Sequence, residues 1–108
     1  MRVSLSDLAL AETVFLFEGR EHGAQVSFFV VRFAPGSGPG AHRHPYEETF
    51  VVQAGEATFT VDGEDVVARA GEIVVVPAGA AHGFVAGGQS ELSLVSIHPS
   101  DRVVQERL

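Results

Sequence analysis

Short apolar runs separated by polar turns dominate this chain of 108 residues, and almost none of them has the period of a helix. The runs are rich in Val, Phe, Thr and Ile, which fit a pleated strand. Only residues 4–12 suggest a helical turn or two, and the tail 99–108 fits neither pattern. The pattern predicts eight strands, near residues 14–19, 24–34, 48–55, 56–63, 64–71, 72–79, 82–88 and 92–99.

Turn residues mark the boundaries between these strands. Asp62-Gly63, between two apolar runs, is typical of a two-residue hairpin loop. Many short strands with Gly and Pro turns favour an all-β barrel or sandwich. The length and the lack of a linker predict one domain over residues 1–108. Further turns are indicated by three glycine-containing dipeptides, Ala54-Gly55, Ala70-Gly71 and Gly87-Gly88.

Several strands are apolar at successive positions, so both of their faces carry hydrophobic side chains. Residues 50–53 read FVVQ, and residues 73–77 read IVVVP. A small barrel with water outside is expected to alternate apolar and polar positions more regularly. A partner that covers the outer face of one sheet would explain the pattern, which predicts a homodimer.

The charge and composition exclude several classes of function. The chain has 14 acidic residues and 7 arginines, no lysine and no cysteine, and a formal net charge of −7. The arginines are scattered, so neither a nucleic-acid partner nor a membrane surface is expected. Schiff-base chemistry, disulfides and thiolate ligands are excluded. No apolar run could span a bilayer and the N-terminus lacks signal-peptide features, so a cytoplasmic protein is expected.

One polar cluster occurs at residues 36–56, where two histidines, two of the glutamates and a tyrosine lie between glycines. His42 and His44 are two positions apart, so on a strand both would point to one face, about 6–7 Å apart. Two imidazoles at that spacing can bind one ion. Glu48 would lie too far along a straight strand, but Pro45 permits a turn that brings it back towards the histidines.

The histidine pair alone leaves two alternatives open, a metal site and a solvated turn. The glycines and the proline around the pair favour a structured turn. A later histidine, His82, follows a predicted strand and a Pro-Ala-Gly turn at residues 77–79. Placed by that second turn, His82 would complete a set of three imidazoles and one carboxylate.

These residues match two motifs through which the chain resembles the cupins. The first motif has Gly, five residues, His-x-His, three or four residues, Glu, six residues and Gly, and it is met by Gly36, His42, His44, Glu48 and Gly55. The second has Gly, five residues, Pro-x-Gly, two residues, His, three residues and Asn, and it is met by Gly71, Pro77, Gly79 and His82. Ala86 replaces the terminal Asn, which is not a metal ligand in the family. The motif core covers residues 36–86.

The resemblance implies a double-stranded β-helix, the jelly-roll or cupin barrel. It also implies that His42, His44, Glu48 and His82 bind one divalent ion inside the barrel. Imidazole and carboxylate ligands suit Mn, Fe, Co, Ni, Cu or Zn without choosing among them. Positions left open on the ion would take water, dioxygen or substrate, and Glu48 is the ligand that could also transfer protons.

Strand periodicity predicts which side chains face the ion. Phe50 and Val52 share the face of Glu48, and Phe84 shares the face of His82, so all three are expected to line the pocket. His98 ends the last predicted strand, where the parity is uncertain, so an inward and an outward position both remain open. Tyr46 is expected in a turn at the barrel mouth, in contact with substrate or on the surface. Glu47 is expected to point away from its neighbour, into solvent.

Two classes of function fit this reading. The first is a mononuclear metalloenzyme of the dioxygenase, isomerase or cyclase type that acts on a small organic molecule. The alternative is a non-catalytic small-molecule-binding or sensor cupin in which the ion is structural or orients the ligand. The fold supports both classes, so it cannot choose between them.

Overall fold

The computed structural model describes residues 1–108 and contains two antiparallel sheets and two short 3-10 helices, at Leu5–Leu8 and Gly19–Glu21. All eight strands expected from the sequence are present, and the all-β jelly-roll prediction is confirmed. Three further short strands, at Ala9–Ala11, His42–Arg43 and Glu106–Arg107, were not expected. The strands are β1 (Ala9–Ala11), β2 (Val14–Phe17), β3 (Ser27–Phe33), β4 (His42–Arg43), β5 (Glu48–Ala54), β6 (Glu56–Val61), β7 (Glu64–Arg69), β8 (Ile73–Val76), β9 (His82–Ala86), β10 (Leu92–His98) and β11 (Glu106–Arg107).

The order of the strands brings distant parts of the chain together. The six-stranded sheet has the order β1-β2-β3-β10-β5-β8, and the five-stranded sheet has the order β11-β4-β9-β6-β7. The last strand, β11, pairs with β4, which belongs to the first half of the chain. The tail, which the sequence left unassigned, therefore lies beside the strand that contains His42.

The N-terminal segment is helical over fewer residues than expected. The 3-10 helix ends at Leu8, and Ala9 and Ala11 then pair with β2. All three residues of β1 are exposed, so this strand has no buried face that could produce a pattern in the sequence. No helix in the structure is long and apolar enough to cross a membrane.

The hairpin between β6 and β7 has the predicted two-residue loop. Asp62 and Gly63 both have positive φ, 48° and 83°. Two positive φ values define the turn whose twist matches that of the flanking strands, and Asp-Gly is a preferred pair for it. The turn closes on the pair Val61 and Glu64, as predicted.

A glycine-rich segment packs tightly against β9. The Gly36 N–H donates to the Ala86 carbonyl oxygen at 2.8 Å, and the Ala86 N–H donates to Ser37 at 2.8 Å. A Cβ at Gly38 would overlap the Phe84 carbonyl oxygen, so only glycine fits there. This close approach fixes the start of the first histidine motif against the strand that contains His82.

The core lies between the two sheets and ends below the histidines. Strand β10 alternates buried and partly buried residues along its whole length, which is the period of a half-buried strand. Phe50, Phe59 and Phe84 form a cluster of rings whose centroids lie 4.8–5.6 Å apart. Glu48 opens β5 and His82 opens β9 at the same end of the barrel, above this cluster of rings.

Candidate metal centre

Four side chains from three strands and a turn converge at the open end of the barrel. His42 lies on β4, His44 follows it, Glu48 is the first residue of β5 and His82 is the first residue of β9. Direct pairing of His42 with His82 brings the two motifs into contact. One donor atom from each side chain lies within 4.8 Å of the others. Ligand atoms around one ion of this kind lie about 3–4.4 Å apart, so the set can close on an ion with small side-chain shifts.

Backbone carbonyl groups determine which nitrogen each of the three histidines presents. In each of these rings Nδ1 faces a backbone carbonyl oxygen. A carbonyl oxygen can only accept a hydrogen bond, so Nδ1 carries the proton. In the neutral ring Nε2 is then an unprotonated lone pair, the form that binds a metal. The Nδ1 atoms of His42, His44 and His82 donate to Gly40, Val104 and Ala80, at 2.8, 2.8 and 2.9 Å.

Two of these lone pairs, those of His44 and His82, face a carboxylate. Nε2 of His82 lies 2.9 Å and Nε2 of His44 lies 3.0 Å from Oε1 of Glu48. Nε2 of His44 is buried and has no partner with hydrogen-bonding geometry. Acceptors directed at one another in a buried site need a cation between them, either a proton or a metal ion. The donor set and the unpartnered nitrogen therefore fit a divalent metal.

In the metal-free site the contacts around Glu48 shift the pKa values of several groups. Burial alone would raise the pKa of the Glu48 carboxyl, but contacts with His44, His82 and His98 outweigh it and hold that pKa far below its ordinary value. Burial lowers the pKa of His82, yet its contact with Glu48 raises that pKa above 6.5 overall. Burial lowers the pKa of His42, which keeps that imidazole neutral. A carboxyl with so low a pKa is ionised at neutral pH, which is the form in which a carboxylate binds a metal.

His98, whose direction the sequence left open, points inward. Its side chain is 1% exposed, and its Nε2 lies 3.2 Å from Oε2 of Glu48. Its Nδ1 lies 2.7 Å from the hydroxyl of Tyr46. Buried positions at Leu92, Leu94, Ser96 and His98 show that the period of two continues to the end of β10.

The match to a known family covers this site and most of both sheets. Residues 29–98 match the family described as the cupin domain. The chain belongs to the cupin family. Ala86, which replaces the motif Asn, is a core residue on β9 and is 2% exposed.

Individual proteins similar to this cupin handle oxalate or bind Mn(II). The oxalate-binding protein of Thermotoga maritima is 29% identical over 70% of this chain, which spans 64% of that relative. A structure of oxalate oxidase in complex with the substrate analogue glycolate is 30% identical, with a TM-score of 0.70, over 78% of this chain and 46% of that one. A structure concerned with the Mn(II) centres of Bacillus subtilis oxalate decarboxylase has a TM-score of 0.82 at 22% identity, over 96% and 31% of the two chains. The last similarity shows the fold alone.

A cavity of about 400 Å³ in this cupin is lined by His42, His44 and Glu48, three of the four candidate ligands. Phe50 and Phe84, which the strand period assigned to the pocket, line it, and so does His98, whose direction the strand period left open. Val52 does not, because it lies two residues further along β5, below Phe50, where it is buried in the core. Tyr46 does not line it either. Its hydroxyl contacts Nδ1 of His98, so Tyr46 lies behind the His98 ring. Further walls are formed by Val14, Phe29, Val31, Phe33 and Leu94.

Sequence reasoning missed the part of the cavity wall formed by the tail. Gln105, Arg107 and Leu108 line the cavity, because β11 pairs with β4. Arg107 forms no ion pair, so its guanidinium is available to a ligand. Two exposed residues make up β11, which is too short to show a period of two. Glu47 is exposed and takes no part in the site, as predicted.

Proposed function

We propose that this protein is a mononuclear metal-binding cupin whose ion is held by His42, His44, Glu48 and His82. The observation that carries this proposal is the convergence of one ligand atom from each of three imidazoles and one buried carboxylate, all within 4.8 Å of one another. Strands from β1 to β11 all belong to the two sheets, which supports one cupin domain over residues 1–108.

Mn(II) is the ion that we propose first. Three imidazoles and one carboxylate suit most divalent first-row metals, so the ligand set does not select one. The similarity to a fold that holds Mn(II) centres in oxalate decarboxylase favours manganese. A bound divalent ion would supply Lewis-acid polarisation of a ligand oxygen.

The proposed ligand is a small organic acid. The cavity volume lies within the range of small-molecule sites. The phenylalanine rings of the wall exclude water around the ligand, and Arg107 offers a cation that can bind a carboxylate. The oxalate-binding relative and the oxalate oxidase bound to glycolate support a carboxylate of two carbons or slightly more.

Two classes of activity remain, and we favour the first. A metal-dependent enzyme would use Arg107 and the phenylalanine-lined cavity to orient the acid at an ion held by the histidines and the ionised Glu48. A non-catalytic binding protein is the second candidate, and the oxalate-binding relative favours it.

Binding of oxalate to the Mn(II)-loaded protein tests this proposal. We expect calorimetry to show one site for oxalate or glycolate when the ion is present, and no binding to the chelator-treated protein. Ethylene glycol, which lacks a carboxylate, is the control ligand and should not bind. Equal binding of the acids to metal-loaded and metal-free protein would contradict a ligand site at the ion.

Arg107 provides a variant that isolates the anion contact. Arg107→Gln is expected to weaken oxalate binding by at least about tenfold, because a hydrogen bond to a charged group contributes about 1.5–3 kcal/mol. Arg102→Gln is the control, since Arg102 lies in the same tail but does not line the cavity.

Incubation of the metal-loaded protein with oxalate in air distinguishes the two classes of activity. Unaltered oxalate would favour the binding protein. Oxygen uptake or CO₂ release would favour the enzyme.

A homodimer is also proposed, through the outer face of the six-stranded sheet. Ile73 and Val75 on edge strand β8 are 62% and 59% exposed. Ile73 pairs with Val51 on β5, which in turn pairs with Val95 on β10, while Val75 pairs with Thr49. These apolar residues are neighbours on one face and are not scattered singly over the surface. Contiguous apolar faces commonly mark interfaces.

We expect sedimentation to show a dimer at micromolar concentration, and Val75→Glu to yield a monomer with unchanged metal content. A charge placed in the middle of a buried apolar interface has no partner and opposes association. Val67→Glu, on the exposed face of the other sheet, is the control and should leave the dimer intact. A wild-type monomer would contradict the proposal.

A further inference from the structure

We propose that Tyr46 and His98 are positioning residues that hold the Glu48 carboxylate in a one-oxygen orientation towards the ion. This inference rests on the proposed metal site. It adds a function for two residues outside the four-ligand set, one of which does not even reach the cavity.

His98 differs from the other three histidines in the partner of its Nδ1. That atom faces the Tyr46 hydroxyl at 2.7 Å rather than a carbonyl group. The hydroxyl oxygen already accepts the Val104 N–H at 3.1 Å. A tyrosine hydroxyl is protonated at neutral pH and, with its oxygen accepting from Val104, has one proton left to donate. The hydrogen bonds therefore run from Val104 to Tyr46 and from Tyr46 to Nδ1 of His98.

This direction determines the proton position on the other side of the ring. A neutral imidazole that accepts at Nδ1 carries its proton on Nε2. Nε2 of His98 lies 3.2 Å from Oε2 of Glu48 and donates to it. Ser96 Oγ lies 3.5 Å from the same nitrogen, which is a much weaker contact. His98 is thus a hydrogen-bond donor in the cluster, whereas the other three histidines present lone pairs.

The two oxygens of Glu48 therefore have separate partners. Oε2 is occupied by His98, while Oε1 faces Nε2 of His44 and of His82. With one oxygen occupied, the carboxylate offers the other to the ion. Glu48 is 3% exposed, so Oε2 would be left without a hydrogen-bond donor if the His98 contact were lost. An unsatisfied buried acceptor is costly in free energy.

The tail connects this arrangement to a second ligand. The Val104 carbonyl accepts from Nδ1 of His44 at 2.8 Å, while the Val104 N–H donates to Tyr46. One residue of the tail thus orients His44 directly and Glu48 through Tyr46 and His98. Hydrogen-bond partners behind metal ligands typically change metal affinity about 10- to 100-fold when they are removed.

Nitrogen-15 NMR of the histidine rings tests the direction of the hydrogen bonds without any metal. We expect His98 to be the Nε2–H tautomer in the metal-free protein and to remain so after Zn²⁺ is added. Tyr46→Phe should shift His98 towards a mixture of tautomers. A wild-type His98 that carries its proton on Nδ1 would overturn the proposal, whether or not the protein binds a metal.

Metal affinity of matched variants tests the consequence for Glu48. We expect His98→Leu to weaken Mn²⁺ binding about 10- to 100-fold in calorimetry, and Tyr46→Phe to weaken it about tenfold. His98→Gln keeps an N–H donor and should recover most of the loss. Released from His98, both carboxylate oxygens can bind, so the Co²⁺-loaded His98→Leu protein should show altered visible absorption.

His22→Leu is the control, because His22 stacks on Phe17 away from the site. Its Mn²⁺ affinity and Co²⁺ spectrum are expected to match the wild type. A His98→Leu protein that folds, binds Mn²⁺ as tightly as the wild type and keeps the wild-type Co²⁺ spectrum would overturn the proposal. A wild type that binds no ion would instead reject the proposed function, while the tautomer measurement would still test the hydrogen bonds.

Discussion

His42→Ala is expected to abolish stoichiometric metal binding. The substitution removes one of four converging ligand atoms, and it leaves the other two imidazoles and Glu48 in place. The loss of affinity should exceed the about 10- to 100-fold cost of removing a hydrogen-bond partner behind a ligand. His42 is the partly exposed member of the set, so its truncation creates no closed cavity in the core and should leave the fold intact. Elemental analysis of protein purified after metal loading measures the metal-to-protein ratio directly.

The matched control for this substitution is His22→Ala. His22 lies in the loop after the second 3-10 helix and takes no part in the cluster. Its replacement should leave one ion per chain. If His42→Ala retained the same ratio and the same affinity as the wild type, the four-ligand site would be rejected.

Phe59→Ala is expected to lower the free energy of unfolding by about 3–5 kcal/mol, the range for large core truncations. The Phe59 side chain is fully buried, and its ring packs 4.8 Å from that of Phe50 and 5.3 Å from that of Phe84. The substitution would leave a cavity in the ring cluster, between Phe50 of one sheet and Phe84 of the other. Domains of this size have a total stability of about 5–15 kcal/mol, so the variant should be marginally folded.

Urea unfolding of the metal-free protein measures this effect without a contribution from the ion. Val67→Ala is the control, since Val67 lies on neighbouring strand β7 and is 46% exposed. It should cost no more than about 0.5 kcal/mol, as is usual for surface substitutions. A Phe59→Ala protein as stable as the control would show that the ring cluster does not hold the two sheets together.

The strands could be predicted from the sequence because the period of two is a local property. Strand β10 alternates from Leu92 to His98, and the Asp62-Gly63 loop adopts the two positive φ values that its residue types favour. Backbone conformation at such positions depends on neighbours one or two residues away. Strands β4 and β11 have two residues each, too few to establish a period, and only their pairing with each other and with β9 makes them strands.

The candidate ligand set was also predictable, because each motif places its residues by a short turn. The spacing from His42 to Glu48 spans one turn, and His82 follows another. That His82 meets Glu48, 34 residues earlier in the chain, was implied by the family resemblance. Pocket lining was predicted less well, since period two gives the face of Val52 but not its depth below Phe50.

The sequence by itself determined the strand pattern, the hairpin loop and the four residues that meet at the open end of the barrel. Only the tertiary structure decided that His98 points inward, that Tyr46 lies behind it and that the tail completes the cavity wall. The contacts responsible join residues 52, 58 and 60 positions apart. Two of them use the backbone of Val104, whose N–H and carbonyl are common to almost every residue type. A contact made by backbone groups leaves no signature in residue type, so only folding of the whole barrel reveals it.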